Sequence, residues 1–111
     1  MKYTINENRL EQMVFKFLDS KFENLEQVKG KYYDIIFRFP GEKYGVLGWE
    51  KSGDLGIYYE FINDIFSFFP IEKTDIKKII GRYVEDRYNL RVINTRSTLI
   101  RCNLLLKIDT I

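Results

Sequence analysis

The spacing between apolar residues changes twice along this chain, and this change restricts the folds open to it. Over residues 9–22 the apolar side chains recur at helical spacing, over 31–59 they mostly alternate every second residue, and over 62–88 the helical spacing returns. Helices therefore bracket a group of strands, without the regular strand–helix alternation of a parallel sheet. We expect an α+β fold with an antiparallel sheet, and not a dinucleotide-binding fold.

Turn and cap residues mark the ends of these elements. Helices are predicted over 9–22, 62–69 and 74–88, the second ending before Pro70 and the third at Asn89. Strands are predicted over 31–39, 44–51 and 55–59, followed by a short segment over 90–96 and a long last strand over 98–108. The resulting order is α-β-β-β-α-α-β-β. We expect one domain, residues 1–111, whose antiparallel sheet has about five strands, with two to three helices packed on one face.

The alternation within the first strand predicts which side chains face the core. Tyr33, Ile35 and Phe37 share one face of that strand. Ile36 falls on the opposite face. We therefore expect the face of the sheet away from the helices to show Ile36 together with Tyr32 and Tyr58.

The residues that most enzymes use for acid–base chemistry are scarce. The chain has no histidine and a single cysteine, Cys102, on the apolar side of the last predicted strand. Ser-His, Cys-His and zinc-hydrolase mechanisms are therefore excluded, and an internal disulfide cannot form. We expect a cytoplasmic, non-enzymatic protein with no cofactor and no bound metal. The chain also has no signal-peptide stretch and no apolar run long enough for a membrane span.

Carboxylates near the predicted hairpin leave one catalytic hypothesis open. A divalent-metal enzyme could be built on Asp34, Glu50 and Asp54. The adjacent Glu50 and Lys51 point to opposite faces of a strand, however, whereas the Glu-x-Lys pattern of metal-dependent nucleases places both on one face. Solvated charges at a hairpin tip are the favoured interpretation.

The excess of aromatic side chains favours a protein interface. Phe15 and Phe22 widen the apolar arc of the first helix to roughly 200°, more than one sheet face covers. Tyr32 and Tyr58 on the outer sheet face, and Trp49 beside the hairpin, add rings of the kind that dominate interfaces. We expect these five residues to bind a protein partner or a second copy of the chain. The alternative is that Phe15 and Phe22 pack under the loop over 23–30.

Positive charge collects near the end of the chain and supports a different hypothesis. From Arg87 to Lys107 there are five basic side chains and no acidic one. If Arg87, Arg91, Arg96 and Arg101 converge on one surface, the chain could bind single-stranded nucleic acid. A solvated face is the more common outcome for so few cations.

Three apolar stretches lie within residues 65–92, a span of about a quarter of the chain: Ile65-Phe66-Ser67-Phe68-Phe69, Ile79-Ile80 and the run from Val84 to Val92. In these stretches the chain resembles short proteins encoded in tailed-phage genomes. These are packing positions, and no catalytic residue carries over. The resemblance implies a viral origin.

Overall fold

The computed structural model describes residues 7–98, which form three helices and a five-stranded sheet. The elements in chain order are α1 (Glu7–Lys21), β1 (Glu26–Val28), β2 (Ile35–Arg38), β3 (Leu47–Trp49), β4 (Asp54–Tyr58), α2 (Tyr59–Phe68), α3 (Lys73–Tyr88) and β5 (Asn94–Thr98). The α+β class and the predicted order of elements are confirmed. The three-residue strand β1 was not predicted, and the observed strands are shorter than the predicted ones.

The strands lie side by side in chain order, from β1 at one edge to β5 at the other. The first three pairs are antiparallel, as predicted, whereas β5 runs parallel to β4. Two helices separate β4 from β5, so the chain has returned to the starting end of β4 before β5 begins. A connection of this length allows a parallel pair, which a short hairpin does not. The sheet is therefore mixed.

All three helices contribute to the main core, which includes one face of the sheet. Leu55 and Ile57 of β4 are fully buried there, with Phe37 and Leu47 from the neighbouring strands. The helices supply apolar side chains at the expected spacing: Val14, Leu18, Ile65, Ile76, Ile80 and Val84. Side chains from all three helices and from one face of the sheet thus form a single core, as expected if the helices cover that face.

The opposite face carries a second, smaller core that the sequence did not reveal. The expectation that Ile36 is exposed is wrong, because this side chain is fully buried with Tyr33 and against Val28. The chain bends before β2, so Tyr33 does not continue the strand and instead covers this face. A Cβ atom added at Gly30 would lie 2.6 Å from Ile36 Cδ1, so the bend needs a residue without a side chain.

Two sequence predictions concern residues that the structure leaves undescribed. The last strand over 98–108, apart from Thr98, and Cys102 both lie outside residues 7–98. Within that range, none of the helices has the length and apolarity that a membrane-spanning segment requires.

Asn89 ends α3, as its sequence position predicts. Its backbone adopts a φ of 58° and a ψ of 43°, and its N–H donates to the carbonyl oxygen of Glu85 at 3.1 Å. This left-handed conformation disfavours residues that carry a Cβ, with glycine and asparagine as the usual exceptions.

We expect Asn89→Ala to lower the free energy of unfolding by roughly 1 kcal/mol, because alanine is strained in the left-handed conformation. Asn89→Gly is the matched variant and should unfold at the wild-type denaturant concentration or slightly above it. Urea titrations followed by circular dichroism measure both. Equal loss in the two variants would mean that the asparagine side chain, and not the backbone conformation, stabilises this end of the helix.

Candidate functional site

Phe22 does not lie on a surface, and its assignment to a partner interface is corrected by its position. It is only 5% exposed, and its ring packs within 6.3 Å, centroid to centroid, of the rings of Phe39, Phe61 and Tyr83. The residue follows α1, where the chain turns toward the sheet. The α3 ring of Tyr83 thus covers the side of α1 that the sequence analysis left uncovered. Phe22 is a core residue.

Phe15 of α1 also faces α3, about two helical turns before Phe22. Its ring meets Tyr83 edge to face at 5.3 Å, and the guanidinium of Arg87 lies 5.2 Å from its centroid. Phe15 remains half-buried. Phe15 and Phe22 both contact Tyr83 of α3. Their common partner is therefore α3 and not the loop over 23–30.

The three aromatic residues predicted on or near the sheet have separate surroundings. Tyr32 is 49% exposed, with the ammonium group of Lys31 5.6 Å from its ring centroid. Trp49 packs against the main core, and its indole N–H donates to the carbonyl oxygen of Arg91 at 2.9 Å. Tyr58 meets Tyr59 edge to face at 5.2 Å. Of the three, only Tyr32 is an exposed side chain, and Trp49 and Tyr58 are half-buried.

The arginines of the nucleic-acid hypothesis do not form one surface within the described chain. Arg96 pairs with Gly56 across β4 and β5 and lies on the face opposite Leu55, whereas Arg87 belongs to α3 on the helical face. Arg96 is also half-buried, with a guanidinium nitrogen 3.3 Å from the Tyr33 hydroxyl and 3.6 Å from a Glu50 carboxylate oxygen.

The remaining two arginines add little to such a surface. Arg91 is exposed, in the loop between α3 and β5. Arg101 lies outside the described residues. The nucleic-acid hypothesis stays a prediction, and its two best-placed cations already contact carboxylates.

Arg87 instead joins α3 to α1 through a carboxylate. Its Nε and Nη2 atoms donate to the two oxygens of Asp19 at 2.9 and 3.0 Å, and the Tyr83 hydroxyl donates to Asp19 Oδ1 at 2.8 Å. Arg87 also pairs with its neighbour Asp86. The hydrogen bond from Arg87 lowers the pKa of Asp19 below its ordinary value of 3.8, and burial raises the pKa of Tyr83. This cluster holds two helices together and leaves none of its groups poised for proton transfer near neutral pH.

The Asp19 cluster predicts how stability depends on pH. Because folding lowers the pKa of Asp19, its stabilising contribution is complete above pH 4 or so and is lost as the pH falls through the folded-state pKa. The free energy of unfolding should decrease on acidification below about pH 4, and Asp19→Asn should make that decrease shallower.

Urea unfolding at a series of pH values measures this dependence. Glu23→Gln, which removes an exposed carboxylate just beyond α1, serves as the control and should keep the wild-type slope. An unchanged slope in Asp19→Asn would show that the ion pair does not contribute.

The carboxylates of the metal hypothesis are engaged separately. Asp34 Oδ2 accepts the backbone N–H of Lys51 at 2.7 Å, and Glu50 pairs with Arg96. Over residues 7–98, no three side chains of the metal-binding types come together. Nothing in the described chain therefore builds the site that Asp34, Glu50 and Asp54 would require.

An apolar surface lies on the flank of α1 that faces α2. We define the α1/α2 patch as Met13 and Phe17 of α1 with Phe68 and Phe69 at the end of α2. The Phe17 ring lies 5.7 Å from that of Phe68 and 5.8 Å from that of Phe69. Met13 is 46% exposed and Phe68 70% exposed. Met13 and Phe17 belong to the helically spaced apolar residues of α1. The rotation of α1 places them at the edge of its apolar side and not at its centre.

No known protein family, curated protein or solved structure matches this chain. The resemblance to proteins of tailed phages stays a prediction.

Phe22→Ala tests the core position of this ring. We expect the variant to lower the free energy of unfolding by about 3 kcal/mol, because a large buried aromatic side chain is lost and leaves a cavity. Tyr32→Ala, which removes an exposed ring, should change it by less than about 1 kcal/mol. Chemical denaturation measures the free energy of unfolding of both variants. A similarly small decrease in the two would contradict the core position of Phe22.

Proposed function

We propose that this chain acts by protein–protein contact, not by catalysis, and that its partner is a second copy of itself bound through the α1/α2 patch. The observation that supports this most is the exposure of Phe68. A phenylalanine with 70% of its surface in water, in contact with a further apolar ring, is costly unless another molecule covers it.

The patch has the form of an interface centre. Phe17 and Phe69 are half-buried, whereas Phe68 and Met13 are exposed. Aromatic and methionine side chains are the ones enriched in the buried centres of interfaces. Because ring contacts join Phe17 of α1 to Phe68 and Phe69, these three rings are held together before binding, which lowers the entropic cost of association.

The rim of the patch carries both signs of charge. Lys21 at the end of α1 and Asp64 of α2 approach within 3.8 Å, and each is about half exposed. The same lysine lies 5.9 Å from the Phe17 ring centroid. In a two-fold dimer each copy presents the same surface to the other, and a rim whose cation and anion already compensate each other meets its own copy without like-charge repulsion. This charge arrangement favours a second copy as the occupant.

This proposal keeps the function expected from the sequence and changes the residues. The sequence predicts an interface at Phe15, Phe22, Tyr32, Trp49 and Tyr58. The first two lie on the flank of α1 that α3 covers. Met13 and Phe17 lie on the other flank. The competing proposal, nucleic-acid binding by the C-terminal arginines, has less support, because Arg87 and Arg96 lie on opposite faces of the sheet.

Phe68→Ser tests the self-association. For the wild-type chain we expect the mass measured by sedimentation equilibrium to rise with concentration toward that of a dimer. The substitution should weaken the dimer by roughly tenfold or more, since it removes an aromatic anchor. The monomer should remain folded because the side chain is largely exposed.

Phe66→Ser is the matched control on the same helix. Phe66 is 48% exposed, and Lys73 lies 5.0 Å from its ring centroid, away from the ring contacts of Phe17. We expect this variant to dimerise like the wild type. A wild-type chain that stays monomeric at all concentrations, or equal weakening by both substitutions, would contradict the proposal.

A further inference from the structure

The β5 edge of the sheet is open on its outer side within residues 7–98. β5 pairs with β4 and with no other described strand, so one side of its backbone has no ladder partner there. An unpaired edge is a template for another extended segment unless charges, proline or a bulge block it. β5 has the sequence Asn-Thr-Arg-Ser-Thr, without proline, and its arginine lies on the face away from the helices.

Helix α3 forms a wall along this edge. Two adjoining cavities, of about 480 and 290 Å³, share Lys77 and follow the helix. The larger is bounded by α3 and the segment from Val92 to Thr95, and the smaller by α2, α3 and Ser97. We call these two cavities together the β5 groove.

Gly81 brings the wall close to the strand. A Cβ atom at this position would lie 3.0 Å from Thr95 Cγ2 and 3.3 Å from Val92 Cγ1. The absence of a side chain therefore lets α3 approach the start of β5. The stretch of α3 from Lys73 to Glu85 is about 18 Å long at 1.5 Å per residue. Five extended residues span about 17 Å, so the wall and a strand of the length of β5 match.

The groove is basic. Lys73, Lys77 and Lys78 line it, and no described ion pair involves any of the three. The only acidic side chain among the lining residues is Glu85, whose carboxylate already accepts the backbone N–H of Val92 at 2.9 Å.

Arg82 also lines the groove, but Glu11 of α1 balances its charge. The two side chains form hydrogen bonds at 2.6 and 2.9 Å. The uncompensated charge of the groove is thus carried by the lysines.

We infer that the β5 groove binds an extended acidic segment of a partner protein, which adds as a further strand to the edge of β5 that has no ladder partner within residues 7–98. Backbone hydrogen bonds to β5 supply affinity, and side chains at every second position of the incoming segment point to the helical side, where Thr95 and Ser97 of β5 also point. Carboxylates at these positions meet Lys73, Lys77 and Lys78. This site is separate from the α1/α2 patch, and neither depends on the other.

The test uses the full chain and a fluorescent peptide with glutamate at every second position and valine or threonine between. We expect saturable binding by fluorescence anisotropy that weakens as salt is added, because the contacts to lysine are screened. The double variant Lys77→Gln/Lys78→Gln should bind roughly tenfold more weakly. Lys43→Gln/Lys51→Gln, which removes two exposed lysines from the β2–β3 connection and the β3–β4 hairpin, is the matched control and should bind like the wild type.

Two further peptides separate strand addition from simple charge attraction. The glutamine version of the peptide should bind more weakly. A version with glutamate retained but with every backbone nitrogen methylated should lose binding, since neither of its edges can donate to β5. Equal binding of the methylated peptide, or no saturable binding of the original one at low salt, would overturn the inference.

An oligothymidine strand is included as a competitor. If it binds more tightly than the acidic peptide and loses affinity in the Lys77→Gln/Lys78→Gln variant, the groove is a nucleic-acid site and the inference is wrong. Phe68→Ser should bind the acidic peptide like the wild type. A wild-type chain that stays monomeric at all concentrations and still binds the peptide would contradict the proposed dimer alone.

Discussion

The contact between α1 and α3 determines which surfaces this protein presents. Phe15 and Phe22 pack on Tyr83, and Asp19 receives hydrogen bonds from Tyr83 and Arg87. These contacts fix the rotation of α1 about its axis. Because α3 covers one flank of α1, the other flank points away from α3, and Phe17 on that flank contacts Phe68 of α2. The exposed apolar patch is therefore a consequence of how the opposite flank is buried.

The parallel pairing of β5 has a similar consequence for the charged surface. A strand joined to β4 by a hairpin would leave no helix beside it. Here α2 and α3 lie between the two strands in sequence, and α3 enters β5 through a short loop, so the helix runs back along the sheet edge. Its lysines then stand beside an open strand. The helix covers the sheet with its apolar side and lines the β5 groove with its polar side, as expected of an amphipathic helix.

The elements that were predictable from sequence are those decided by local spacing. Helical periodicity located α2 and α3, and Asn89 marked the end of α3 because few residues adopt its backbone conformation. The failures have non-local causes. Alternation predicts an exposed Ile36 because it cannot show that Tyr33 bends back over this side chain. The wide apolar arc of α1 predicts an exposed Phe22 because an arc does not reveal how many neighbouring elements cover it.

The partners of the charged side chains also depend on non-local contacts. A run of arginines without acidic neighbours in sequence still met carboxylates in space, at Asp19 and Glu50. The lysines of α3 lie among acidic residues in sequence. In the β5 groove, however, the acidic lining residue is Glu85, whose carboxylate already accepts a hydrogen bond from Val92 N–H.

The two proposed contacts differ in how they depend on salt concentration. Burial of the α1/α2 patch depends on apolar area and is little affected by ionic strength, whereas exposed charges are screened within about 10 Å at 0.1 M salt. Raising the salt concentration therefore separates the dimer from the groove complex in a single preparation.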